Sequence, residues 1–222
     1  MDALVRTPGA LGTLTVALLW GLCGMASAVE IQREGPRLRM IGALDASGLG
    51  AFTGHLERGG VRTIVFEDSR GGGADIAERY AQAIREAGVN TEVRGHCSGA
   101  CPAAFLAGKE HRFGRGPQVN SLLIPLAARP ESGDLAQLGA PPPARLASIE
   151  VSDVTPDARE PEPVAAKDAW RPDQGVLFTA TPTLFGRVYN SFYCDGTQGR
   201  DLSRCEALSD ADPYRLGVLT LQ

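Results

Sequence analysis

Two glycine-rich corners most constrain what this chain can fold into: Asp68-Ser69-Arg70-Gly71-Gly72-Gly73 and Gly95-His96-Cys97-Ser98-Gly99-Ala100-Cys101. The first follows a β-branched apolar run, Val61 to Phe66, and the second follows Val89 to Arg94. Between them, Gly72 to Glu86 reads as a helix. Ile76, Ala77, Tyr80, Ala81 and Ile84 share one face, Glu78, Arg79 and Arg85 lie off it, and Gly88 is a natural C′ residue. Strand, turn, helix, strand, turn, helix in this order implies parallel pairing through right-handed crossovers. The two corners then come to lie side by side.

The flanking sequence extends this α/β pattern. Leu38 to Leu44 reads as a first strand. Asp45 and Ser47 are N-cap residues for a helix over 46–57, which Gly48, Gly50 and Gly54 weaken. Cys101 to Ala107 is a short apolar helix that Gly108 ends, and Gln118 to Leu126 is a further strand. Composition then changes. Eight of the fifteen prolines fall between Ala127 and Pro172, so 128–172 reads as an extended, largely disordered excursion. Order returns with strands at 175–180 and 184–193 and a last one from Arg215 to Leu221. The organisation expected is a leader over 1–28, an α/β core over 29–127, the proline-rich excursion over 128–172, and C-terminal strands over 173–222 that complete or flank the core.

The leader has a weak positive start at Arg6, an apolar run from Leu11 to Leu22, and a small-x-small signature, Ala26-Ser27-Ala28. That run is too short to span a bilayer, so it reads as a secretory signal cleaved after Ala28, and the protein as periplasmic or secreted. No later stretch is long and apolar enough for a membrane span. The net charge is −4 with no basic block, which speaks against nucleic acid as a partner.

Export leaves four cysteines: Cys97, Cys101, Cys194 and Cys205. An even number in an oxidising compartment favours two disulfides. Three pairings exist, of which the local one, 97–101 with 194–205, is simplest. Cysteines four apart on a helical turn lie about 6 Å apart at Cα, within disulfide range. A tetrathiolate zinc site is the rival reading, but CxxxC and a ten-residue spacer are unlike zinc knuckles. No metal or cofactor is expected. A redox-active pair is more often CxxC, so the CxxxC here is weak evidence for thiol exchange.

The amides of Gly71, Gly72 and Gly73 at a helix start are suited to an anion or a developing oxyanion. The first corner lacks the lysine and hydroxyl residue of a phosphate loop, and it does not follow GxGxxG. Spacing alone favours a plainer role: glycines that let strand and helix pack closely. The second corner shares the logic of the GxSxG nucleophile elbow without matching its pattern.

The run FEDSRGGGADIAERYAQAIREAGVNTEVRGHCSGACPAAFLAGKEHRF resembles the ClpP/crotonase superfamily, nearest to an exported bacterial branch with SPGG, then CxSAC, then FLAG. Ser69-Arg70-Gly71-Gly72 matches SPGG with arginine for proline. Cys97-Ser98-Gly99-Ala100-Cys101 matches CxSAC with glycine for serine, and Phe105-Leu106-Ala107-Gly108 matches FLAG. The resemblance covers roughly residues 38–127. It implies a ClpP/crotonase-like core of mainly parallel strands with crossover helices, followed by a small disulfide-closed β-rich part. It also implies oxyanion amides at Gly72 and Ala100, and a tendency to form homo-oligomers. The nucleophile position falls on Gly99, and the strand Val119 to Leu126 carries no histidine where the general base is expected.

The leading expectation is therefore an exported, catalytically degenerate protein that acts by binding a protein or peptide partner or a ligand. The alternative is a serine peptidase or esterase with Ser98 as displaced nucleophile and His96 or His111 as base. A third reading makes Cys97 and Cys101 a thiol-active pair. Crotonase-type acyl-CoA chemistry needs no nucleophile, but an exported protein does not meet CoA thioesters.

Overall fold

A computed structural model describes residues 29–126, 129–130, 173–199 and 201–221. The expected leader, and the proline-rich segment apart from Arg129 and Pro130, lie outside the described residues. The chain order is β1 (Glu30–Glu34), β2 (Arg37–Ile41), α1 (Ala46–Glu57), β3 (Thr63–Ser69), α2 (Ala74–Ala87), β4 (Asn90–Cys97), α3 (Cys101–Leu106), β5 (His111–Phe113), β6 (Asn120–Pro125), β7 (Gln174–Thr183), β8 (Gly186–Asp195), a 3₁₀ turn (Leu202–Arg204) and β9 (Glu206–Ala207).

The strands form a single sheet in the order β1-β2-β3-β4-β6-β7-β8-β9, and β5 pairs with β4 ahead of β6. Its centre is parallel, from β2 through β3 and β4 to β5 and β6. Both flanks are antiparallel: β1 on one side, β7 to β9 on the other. The core strands, expected to be mainly parallel, pair in parallel except for β1–β2, and the antiparallel C-terminal strands make the whole sheet mixed. Short turns join β1 to β2 and β7 to β8, a connection that antiparallel neighbours permit.

Local signals explain the helices. The Asp45 carboxylate accepts the Gly48 N–H at 2.9 Å and starts α1. Gly88 ends α2 in the left-handed conformation, where its N–H reaches the Ile84 and Arg85 carbonyls. The apolar face of α2 packs on the sheet, so Tyr80, Ile84 and Phe52 share one core with Leu38, Met40, Ile64, Phe66, Val93 and Phe105. Alternation along the strands turns Arg37 and Arg39 to the opposite face. Register sets Arg39, Val65, Glu92 and Arg112 in one row there.

The expected strand at 215–221 does not form. The segment turns at Gly217 (φ +68°), and the Val218 and Leu219 amides return to the Pro213 carbonyl at 2.8 and 3.0 Å. Burial drives this: Leu216, Val218 and Leu219 enter the core. Strand β1 was not expected from sequence, because EIQRE is polar and mostly exposed. The β7–β8 hairpin continues past Ala180, the last residue paired to β6, and ends at fully exposed Leu184 and Phe185.

Candidate functional site

The corners meet at the C-terminal ends of β3 and β4. The Ser98 N–H donates to the Ser69 carbonyl at 3.0 Å, and the Ala100 N–H donates to the Gly71 carbonyl at 2.8 Å. Asp68 adopts φ +47°, and its carboxylate accepts the His96 backbone N–H at 3.1 Å. A Cβ at Gly95 would overlap that carboxylate, which explains glycine there.

Gly99 is the decisive residue. Its φ is +67°, and a Cβ would lie 2.7 Å from the Gly71 carbonyl carbon and 2.9 Å from the Gly71 Cα. Both obstacles are backbone, so neither can swing aside. Gly72 (φ +83°) is enclosed in the same way, by the Leu44 carbonyl oxygen at 2.5 Å and the Ala100 Cβ at 2.7 Å. The glycines therefore allow direct backbone-to-backbone contact.

The expected anion-binding amides divide into two groups. Those of Gly71, Gly72 and Gly73 donate to no acceptor among the described residues, and all three residues are exposed. The Ala100 amide is engaged by Gly71 and is buried. The two-amide cradle implied by the resemblance is thus open on one side and closed on the other by an internal hydrogen bond.

Ser98 is half-buried, and its hydroxyl makes no hydrogen bond among the described residues. Neither candidate base reaches it. His96 Nδ1 shares a 2.6 Å hydrogen bond with the Ser121 hydroxyl across the β4–β6 pairing. His111 Nδ1 donates to the Val218 carbonyl at 2.8 Å, and its ring packs edge-on against Phe105. Burial holds both imidazoles below the usual histidine pKa. The Arg70 charge adds to this at His96 while Asp68 opposes it, and the Val218 bond opposes it at His111. The His96–Ser121 contact was not legible in sequence, because it depends on how β6 aligns with β4. Ser121 is buried, at 5% exposure.

The four cysteines form the local pairs, Cys97–Cys101 with Cα atoms 5.3 Å apart and Cys194–Cys205 at 4.7 Å. The first closes the second corner onto α3 and is buried. The second ties the end of β8 to the 3₁₀ turn. No helix among the described residues is long and apolar enough to cross a membrane.

No family model matches this chain, and no curated protein matches it either. Two solved structures share partial likeness. A proposed enoyl-CoA hydratase from Streptomyces avermitilis is 16% identical over 43% of this chain and 48% of its own, with a TM-score of 0.31. Another, from Streptomyces coelicolor A3(2), is 14% identical over 53% and 51%, with a TM-score of 0.32. The chain spans about half the length of each. TM-scores this low do not establish a common fold.

Proposed function

We propose that this is an exported protein of ClpP/crotonase-like ancestry whose catalytic corner is vacant and which acts by binding a protein or peptide partner. One observation carries the reading: at Gly99, the nucleophile position by motif, the Gly71 backbone fills the space a side chain would need. The engaged Ala100 amide and the two imidazoles bonded elsewhere support it. Two cystines suit an oxidising compartment. The protruding Leu184-Phe185 tip supplies an apolar contact that solvent alone does not favour.

Labelling with a fluorophosphonate probe tests this reading. No serine is expected to react, in the native protein or in Ser98→Ala. Stoichiometric modification of Ser98 would instead establish the displaced-nucleophile hydrolase. Export is checked by N-terminal sequencing of the mature protein, which should begin at Val29. The partner surface is checked by Phe185→Asp, which should abolish partner capture while leaving the melting temperature unchanged.

A further inference from the structure

The sheet face turned away from the helices carries a second, chemically unlike feature. Glu92 is 3% exposed, and three arginines from three strands converge on it. Its Oε1 accepts from Arg37 Nη2 at 2.7 Å and from Arg94 Nε at 2.9 Å, and its Oε2 accepts from Arg112 Nε at 3.3 Å. Arg115 lines the same recess, whose volume is about 280 Å³. That is near the lower end of small-ligand pockets, about 300 Å³.

The charges do not balance. One carboxylate faces three guanidinium groups, and among the described residues no other acid bridges Arg37, Arg94 or Arg112. Two positive charges are left over. Burial alone would raise the Glu92 carboxyl pKa, but the Arg37 and Arg94 bonds outweigh it and keep the group ionised. Glu92 therefore acts as a fixed post that orients the cations.

The geometry of attachment matters as much as the charge. Arg94 and Arg112 both use Nε to hold Glu92. Their terminal Nη groups donate to no acceptor among the described residues. Two pre-oriented guanidinium ends thus line one recess, at 34% and 36% side-chain exposure, within reach of solvent. Such forks match the spacing of phosphoryl oxygens and take them two at a time.

We infer that the Arg37–Arg94–Arg112 recess around Glu92 is a binding site for the phosphoryl group of a small, multiply charged phosphate compound. The site is distinct from the glycine corners, none of whose residues lines the recess. It stands whether or not the partner-binding proposal holds.

Calorimetric titration of the full chain with inorganic pyrophosphate, at ionic strength matched with sodium chloride, tests the inference. Saturable one-to-one binding is expected. Arg94→Gln and Arg112→Gln should each weaken it about tenfold, the effect of losing one charge-assisted contact. Glu92→Gln should weaken it as well, because an amide has one acceptor oxygen and cannot hold all three guanidinium groups in place. Arg39→Gln is the control, since Arg39 lies on the same face but pairs with Glu34 and Glu67. Circular dichroism identifies any variant that fails to fold. Should Arg94→Gln do so, Arg112→Gln carries the comparison from the more exposed position. Absence of saturable binding, or an equal loss in Arg39→Gln, overturns the site. Vesicles of phosphatidylglycerol and phosphatidylcholine distinguish a lipid source. Retention on vesicles without pyrophosphate binding would overturn the small-molecule assignment.

Discussion

The glycine corners and the arginine recess share strand β4, yet they are built on opposite terms. At the corners, residues without side chains let backbone meet backbone, and the Gly71 backbone occupies the space a Cβ at position 99 would need. At the recess, long side chains radiate from one buried carboxylate and leave guanidinium ends open to solvent. A motif that resembles a catalytic one can be sterically closed, while a face with no recognisable motif holds the unpaired charge. Close packing decides the first region; charge imbalance decides the second.

The largest expected effect comes from trying to reopen the corner. Gly99→Ser restores the motif but places a Cβ at positive φ against the Gly71 backbone. It should destabilise the protein by roughly 2–4 kcal/mol, read by denaturant unfolding, without creating fluorophosphonate reactivity. Near-wild-type stability together with labelling would break the contrast between a closed corner and an open recess.

Disulfide removal comes next. Loop closure assigns about 3 kcal/mol to Cys194–Cys205 and about 2 kcal/mol to Cys97–Cys101. Access runs independently of that ranking, because Cys97 and Cys101 are both buried while Cys205 is half-exposed. Under mild reductant, mass spectrometry of alkylated protein should show 194–205 opening first and 97–101 resisting. Early opening of 97–101 would mean that the corner breathes, and it would revive the thiol-active reading.

Acidification should destabilise the protein in two separate windows. The native pKa values of His96 and His111 are depressed, so the unfolded chain takes up protons first. Their contribution is whole above about pH 6.5 and falls as pH drops toward the native values. Glu92 is likewise depressed, so its contribution holds above about pH 4.3 and is lost only as pH falls further. Melting temperatures from pH 8 to 3 should decline in two stages, and replacing His96 and His111 with glutamine should flatten the first.

The smallest effect belongs to Ser98→Ala. Its hydroxyl has no partner among the described residues, so the stability change should stay within about 0.5 kcal/mol. A larger loss would reveal a role for that oxygen.

Much of the central architecture was readable from local signals. The α2 stripe, the Asp45 cap, Gly88 and the β-branched runs before each corner act over a few residues, and the strands and helices lie where those signals put them. The missed elements lack such signals. Strand β1 is polar and takes its partner from β2. The C-terminal segment has strand-like composition, but it follows the core instead of an edge.

The chain's own pattern determined that two glycine corners end neighbouring strands, that cysteines near in sequence can pair, and that position 99 lacks a nucleophile. These follow from chirality, chain geometry and the chemistry of single residues. Only the tertiary structure decided that Gly99 abuts Gly71, that His96 turns to Ser121 instead of Ser98, and that arginines from three strands share Glu92. Those outcomes depend on sheet register and on distances between residues far apart in the chain, and no short-range preference encodes them.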